Sequence, residues 1–355
     1  MRGIAILAIM LHNYCHFIGR IVKENEYQYL STNNDRLWQV LTNPSELLPV
    51  HLLSFFGHYG VTVFLFLSGF GLVKKYELDT SHNAGSFRFL RYHYLKLLRM
   101  LIVGFVLFLM VDAVTPGRFA FHWDNVIAQL LMYINMLPEP DKIIWPGIYW
   151  FFGLMMELYI VYRLLLYRRS SWLVIGLIIV CWLLQVFCDP DGETLNRLRY
   201  NFIGGMLPFG LGLLLGRASL RAADYSQGGN VLFPRWERFI PKVGIMVWAV
   251  ALLLASLLVV VMGFNFQSWL WIPVMTIIGT IALVKVMPEW LLKIMVWFGG
   301  ISAAMFVAHP IARKLFITVA WKQDIYDGLI LYVVVTIALS WAVKQIIDRI
   351  PAPKL

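Results

Sequence analysis

Residues 243–263 read VGIMVWAVALLLASLLVVVMG, twenty-one consecutive positions without a charged side chain. A helix that crosses a bilayer needs about 20 mostly apolar residues, so this stretch alone assigns the chain to the membrane. The rest agrees. Of 355 residues, 60% are hydrophobic and 14% charged, against about 45–50% and about 25% in soluble domains. That composition excludes an ordinary soluble enzyme, a disordered chain and a nucleic-acid-binding module. The formal net charge of +10 is explained by Lys and Arg in cytoplasmic loops, where membrane proteins collect them. Cys15, Cys181 and Cys188 have neither metal-ligand spacing nor an even count, so no metal site and no disulfide framework is expected.

Working outward, candidate spans fall at 3–19, 52–73, 90–111, 146–166, 172–188, 200–216, 243–263, 269–287, 293–317 and 327–347. The first reads as a retained helix, since no small-residue cleavage site follows a clean apolar core. No internal repeat or linker divides the chain, so 1–355 is read as one domain. Lys74, Lys75, Arg88, Arg91, Lys96 and Arg99 place the segment 74–99 in the cytoplasm despite Glu77 and Asp79. Arg163, Arg168 and Arg169 do the same for 163–169, as do Arg217, Arg221, Arg235, Arg238 and Lys242 for 217–242. Glu24, Glu26, Asp35 and Glu46 suit an outside position for 20–50, as Asp189, Asp191 and Glu193 do for 189–199.

These sides agree only if the apolar stretch 125–137 does not cross. The expected fold is therefore all-α and polytopic, with about ten transmembrane helices, one re-entrant or interfacial helix, and both termini cytoplasmic. Arg313 and Lys314 sit near an outer helix end against the rule, and snorkelling would accommodate them.

Ionisable groups at membrane depth are functional candidates by default. Glu157 is the one acid well inside an apolar run, roughly 15 Å below the outer start of its helix. Hydrogen bonding to Tyr or Trp for helix packing is its structural alternative. His12 and His16, four apart on one helix face, flank Asn13 and Tyr14 and suggest the wall of a polar cavity. His58 lies near an outer helix mouth. His309 precedes Pro310, which frees a backbone carbonyl that His309 could satisfy. An imidazole and a carboxylate supply the parts of general-base catalysis. No Walker A pattern, G-x-S-x-G elbow or H-E-x-x-H is present. The basic stretch FRFLRYHYLKLLRM at 87–100 serves as a topology signal and anionic-lipid contact. It would equally suit a phosphorylated cytoplasmic donor, because Arg forks match phosphate geometry.

Five segments in order carry a resemblance. RGIAILAIMLH, YGVTVFLFLSGFGLVKKY, FRFLRYHYLKLLRM, GIYWFFGLMMELYIVYRLL and WFGGISAAMFVAHPIARKLF together resemble the acyltransferase family 3 membrane proteins. The resemblance spans almost the whole chain and implies about ten transmembrane helices. It implies an O-acyltransferase of the cell (inner) membrane, typically moving acetyl from a cytoplasmic acyl-CoA to a hydroxyl of a surface or exported glycan. No bound cofactor is implied; acetyl-CoA or another acyl-CoA is the donor substrate. By motif, His12 would be the base or acyl relay, Arg2, Arg88 and Arg91 would contact the CoA moiety, and Glu157 would match the family's helix carboxylate. Asn13, His16 and His309 remain as acceptor or cavity residues.

One departure stands out. The family places ten residues between the Arg and the His, whereas nine separate Arg2 from His12. Either a local helix bulge lets His12 serve, or Asn13 and His16 share the site. A secondary transporter or flippase is the rival class, since it also needs midplane polar groups and broken helices.

Overall fold

The computed structural model describes residues 1–77, 85–227, 243–322 and 324–355. Asp79, Arg235, Arg238 and Lys242, counted in the charge pattern, lie outside the described residues. The described chain is helical throughout, with α1 (Arg2–Cys15), α2 (Ser31–Thr42), α3 (Leu48–Phe56), α4 (Gly60–Leu72), α5 (Ser86–Val114), α6 (Trp123–Leu130) and α7 (Trp150–Val161). There follow α8 (Ser171–Val186), α9 (Glu193–Tyr200), α10 (Phe202–Gln227), α11 (Val243–Met262), α12 (Ile272–Val286), α13 (Glu289–Lys322) and α14 (Ile325–Arg349). Among the described residues, seven helical runs are long and apolar enough to cross a membrane, including Leu48–Glu77, which joins α3 to α4, and Gly147–Leu166, which contains α7. The helices α8 and α12 are shorter and apolar.

The outward faces explain the excess of apolar residues. Only 11% of the most apolar window of α11 is buried within the protein, and most of its Leu and Val side chains, such as Leu253, Leu257 and Val261, face outward, as a lipid-facing helix requires. The core lies where α1 and α14 pack along α13, and where α4 packs on α10. Close approach there depends on absent side chains, as in membrane helix pairs generally. A Cβ on Gly69 would meet the Phe209 carbonyl of α10, and one on Gly212 would meet the Phe66 carbonyl of α4.

Segments that charge assigns to one side lie together. The Tyr29 N–H donates to the Pro190 carbonyl at 2.8 Å, and Gln28 donates to the Asp191 carbonyl at 3.0 Å, joining two expected outer segments. At the other end Arg217 pairs with Glu77 at 2.8 Å and donates to the Leu166 carbonyl at 2.7 Å.

The stretch 125–137 is too short to cross. Its helix α6 has eight residues, about 12 Å of rise. Past α6 the chain tucks into the protein, and Asn135, 1% exposed, reaches Glu157 at 2.8 Å. Irregular backbone at membrane depth is tolerated when protein covers it in this way.

Arg313 and Lys314 do not snorkel. Lys314 pairs with buried Asp112 at 2.5 Å, and Arg313 is 5% exposed and points inward. Both find partners inside the protein, so neither needs the headgroup layer.

Candidate active site

The site forms where the C-terminal end of α1 meets the turn between α3 and α4. That turn sits directly on α1 because Gly57 and Gly60 carry no side chain. A Cβ on Gly57 would strike the His12 side chain and the Ala8 carbonyl, and one on Gly60 would strike the Ala5 carbonyl. The contact brings the end of α3 to His12, whose Nδ1 donates to the Ser54 carbonyl at 2.7 Å. With Nδ1 committed to that carbonyl, Nε2 is the nitrogen left to exchange a proton.

Nε2 faces two carboxylates. Glu26 lies 3.6 Å away and Glu24 4.0 Å, while the other Glu24 oxygen accepts from His16 Nδ1 at 2.9 Å. Beside them stands His58, its ring 5.7 Å from that of His12, with Nδ1 donating to the Phe55 carbonyl at 2.9 Å.

The loop bearing these acids is tied at several points. Ser54 Oγ donates to the Val22 carbonyl at 2.8 Å, and the Val22 N–H to His51 Nδ1 at 3.1 Å. Trp269 Nε1 donates to the Asn25 carbonyl at 3.0 Å, and Asn33 to the Glu24 carbonyl at 3.1 Å. Tyr27 donates to Glu26 at 2.5 Å and stacks on Tyr200 with ring centroids 3.9 Å apart.

Electrostatics follow from this packing. Burial alone would push the Glu24 carboxyl up, but His12, His16 and His58 hold it far below the usual carboxylate range. Glu26 is partly buried, and although burial would push it up, His12 and His58 hold it low. Asp141, on the same cavity wall, is pushed up by burial.

His12, His16, His58, Glu26 and Asp141 border a cavity of ≈ 90 Å³ that also touches Asn13, Trp145, Trp150, Phe306 and Arg313, while Glu24 lines the space beside it. It shares Glu26, Tyr27, His16 and Asp141 with a wider outer vestibule of ≈ 600 Å³.

The residues singled out from sequence separate into three groups. His12, Asn13 and His16 border the cavity together. Of the two alternatives, the bulge is absent, since α1 is regular α-helix from Arg2 to Cys15, and His12, Asn13 and His16 all reach the cavity without it. Asn13 donates to the Ile9 carbonyl at 3.0 Å and accepts from Arg313 at 3.2 Å.

Glu157 is not part of this wall, contrary to the expectation that it would serve beside His12. One of its oxygens accepts from the Phe202 N–H at 2.7 Å and the other from Asn135 at 2.8 Å. It therefore satisfies an otherwise orphaned N–H at the start of α10, a group that lipid could not satisfy. His309 is fully buried and its Nδ1 donates to the Met305 carbonyl at 3.0 Å, which meets a backbone group of its own helix.

Arg2, Arg88 and Arg91 lie at the far end, all exposed. The charges of Arg2, Lys75 and Arg99 act on Lys96 there, so the basic surface extends beyond the three arginines named from the motif. Along α1, Arg2 and His12 are ten residues apart, about 15 Å.

In the sequence, Glu24 and Glu26 look like ordinary outer-loop acids. The available signal was their spacing, two carboxylates one residue apart just beyond a helix ending in two histidines. Ligand-type atoms of His12, His16 and Glu24 also lie within 4.8 Å of one another, close enough to hold a metal ion.

A family model described as an acyltransferase domain, that of acyltransferase family 3, matches residues 1–344. No curated protein matches the chain, and no solved structure does.

Proposed function

The chain belongs to the acyltransferase 3 family, as the match over residues 1–344 shows, and from that premise we propose that it is a membrane O-acetyltransferase. In this reading acetyl passes from a cytoplasmic acetyl-CoA to a hydroxyl of a surface or exported glycan, with His12 as general base. The protein is one domain with ten crossings in the cell (inner) membrane and both termini in the cytoplasm. The spans α1, α8 and α12 complete the ten alongside the seven longer runs.

One observation carries the catalytic reading. His12 Nδ1 is fixed on the Ser54 carbonyl, leaving Nε2 beside Glu24 and Glu26 on a cavity wall. An imidazole so held is oriented to take a proton, and the carboxylates stabilise the imidazolium that results. The acceptor hydroxyl enters from the vestibule, gives its proton to Nε2, and attacks the thioester carbon. The basic inner surface around Arg2, Arg88 and Arg91 holds the phosphates of CoA, and its arm reaches up toward His12.

The cavity beside His12 is small, ≈ 90 Å³ against ≈ 600 Å³ for the vestibule, which favours a short acyl group over a long chain. The test uses purified protein in lipid nanodiscs with acetyl-CoA and glycerol as a simple hydroxyl acceptor. Free thiol and acetylglycerol are measured for wild type, His12→Ala and Glu26→Gln. Turnover that vanishes in His12→Ala and falls in Glu26→Gln supports the reading. Equal turnover in all three overturns it.

A further inference from the structure

Arg313 and Lys314 are neighbours in α13 with opposite circumstances. Lys314 has its counter-charge in Asp112 at 2.5 Å. Arg313 is 5% exposed, and among the described residues no carboxylate pairs with it. Its Nη1 donates to the Asn13 carbonyl at 3.3 Å and to Asn13 Oδ1 at 3.2 Å, and both acceptors are neutral. Phe17 lies against the guanidinium at 3.8 Å and Trp145 at 5.6 Å, which adds a cation–π attraction but no charge. A guanidinium stays protonated in proteins, so the protein buries a full uncompensated cation within a membrane helix. Such a burial carries a desolvation cost that neutral partners recover only in part.

The position of this cation indicates its use. Among the residues bordering the cavity, Arg313 is the only Lys or Arg, and it shares that wall with His12, His58 and Glu26. It is anchored on Asn13, the residue next to His12 in α1. The negative side of the site, Glu24 and Glu26, is committed to His12 and His16.

We propose that Arg313 is a further catalytic residue, donating to the oxyanion that forms when the acceptor attacks the thioester. The inference rests on the acyl-transfer reading above. In the first step the acceptor oxygen bonds to the thioester carbon and its proton moves to His12 Nε2. The carbonyl electron pair moves onto oxygen, and this developing negative charge meets Arg313. In the second step that pair re-forms the carbonyl, the carbon–sulfur bond breaks, and the departing thiolate takes the proton from His12 as free CoA. Glu24 and Glu26 stabilise the cation of this sequence and Arg313 its anion. A preorganised donor at such a position is worth about 10²–10³ in kcat.

The experiment compares wild type, Arg313→Met and Arg313→Lys in nanodiscs, with acetyl-CoA and glycerol. Thermal unfolding of the same samples is followed in parallel. Oxyanion stabilisation predicts kcat lowered about 10²–10³-fold in Arg313→Met with KM for acetyl-CoA changed less than about threefold. It predicts a partial loss in Arg313→Lys, which keeps the charge but not the fork. It also predicts no fall in the unfolding temperature of Arg313→Met, because removing an unpaired buried charge relieves a cost. A structural role predicts the reverse, a lowered unfolding temperature with turnover per folded molecule retained, and that result overturns the proposal.

A second arm replaces acetyl-CoA with succinyl-CoA. If wild type prefers succinyl-CoA and Arg313→Met loses only that preference, Arg313 is a receptor for an acyl carboxylate and the oxyanion role is wrong. Wild type without any thioester cleavage overturns the acyl-transfer reading itself, and with it this role. Normal wild-type cleavage with unaltered kcat in Arg313→Met overturns this role alone.

Discussion

His12 Nδ1 lies 2.7 Å from the carbonyl oxygen of Ser54, and that one hydrogen bond decides which face of the imidazole does chemistry. It depends on the α3–α4 turn lying directly on α1 at Gly57, where no side chain fits.

Gly57→Ala is therefore expected to separate the two elements. The added methyl strikes His12 and the Ala8 carbonyl, and overpacking of this kind costs about 1–3 kcal/mol. Turnover should fall at least about tenfold, a consequence of losing near-attack geometry, while far-UV helicity stays at the wild-type level. Wild-type turnover in this variant would show that the His12–Ser54 contact is dispensable.

The acid limb of stability should carry the signature of Glu24. Its carboxyl is buried, yet three histidines hold it well below the ordinary range. A group depressed on folding contributes stability that is complete above its unfolded value, about 4.3 for Glu. That contribution is lost as pH falls through the folded value. Thermal unfolding in detergent should thus decline below about pH 4.3, and Glu24→Gln should have a shallower slope in that window. An unchanged slope would remove Glu24 from the account of acid stability.

Glu157→Ala should act on stability and not on chemistry. It would leave the Phe202 N–H without its acceptor and take from Asn135 the shortest of its three hydrogen bonds, at a cost of about 1–3 kcal/mol for a buried group. The unfolding temperature should drop, while turnover per folded molecule should stay within about threefold of wild type. A collapse of kcat without any loss of stability would return Glu157 to the catalytic machinery.

Divalent metal should inhibit and not activate. His12, His16 and Glu24 could hold an ion, and an ion on Nε2 would occupy the lone pair that the base uses. Added zinc is predicted to slow turnover, with recovery on chelation. Turnover that disappears on treatment with EDTA and returns with metal would make the cluster a metal centre.

Much of the fold was legible because lipid imposes simple demands. Long apolar runs such as 243–263 and the segregation of basic loops suffice to mark the spans. The grouping of loops that they imply agrees with the way Tyr29 meets Pro190 and Arg217 meets Leu166. The non-crossing of 125–137 followed from charge alone, before the fold brought Asn135 to Glu157. Half the site was equally legible, since histidines four apart in an apolar helix have few other uses.

The other half was hidden by distance along the chain. Glu24 and Glu26 read as ordinary outer-loop acids until Val22, Ser54 and His51 fold that loop back onto α1. Arg313 read as a residue at a helix end, because periodicity does not reveal that Asn13 and Phe17 await it inside. Glu157 misled for the complementary reason. A carboxylate in an apolar run announces that something needs it, and here the need is the exposed start of α10.

The most direct test of the central claim is acetyl-CoA cleavage with glycerol as acceptor, comparing wild-type protein and His12→Ala at equal helicity and unfolding temperature. The account predicts steady thiol release and acetylglycerol from wild type and none above background from His12→Ala. Undiminished acetyl transfer by a folded His12→Ala protein would contradict it.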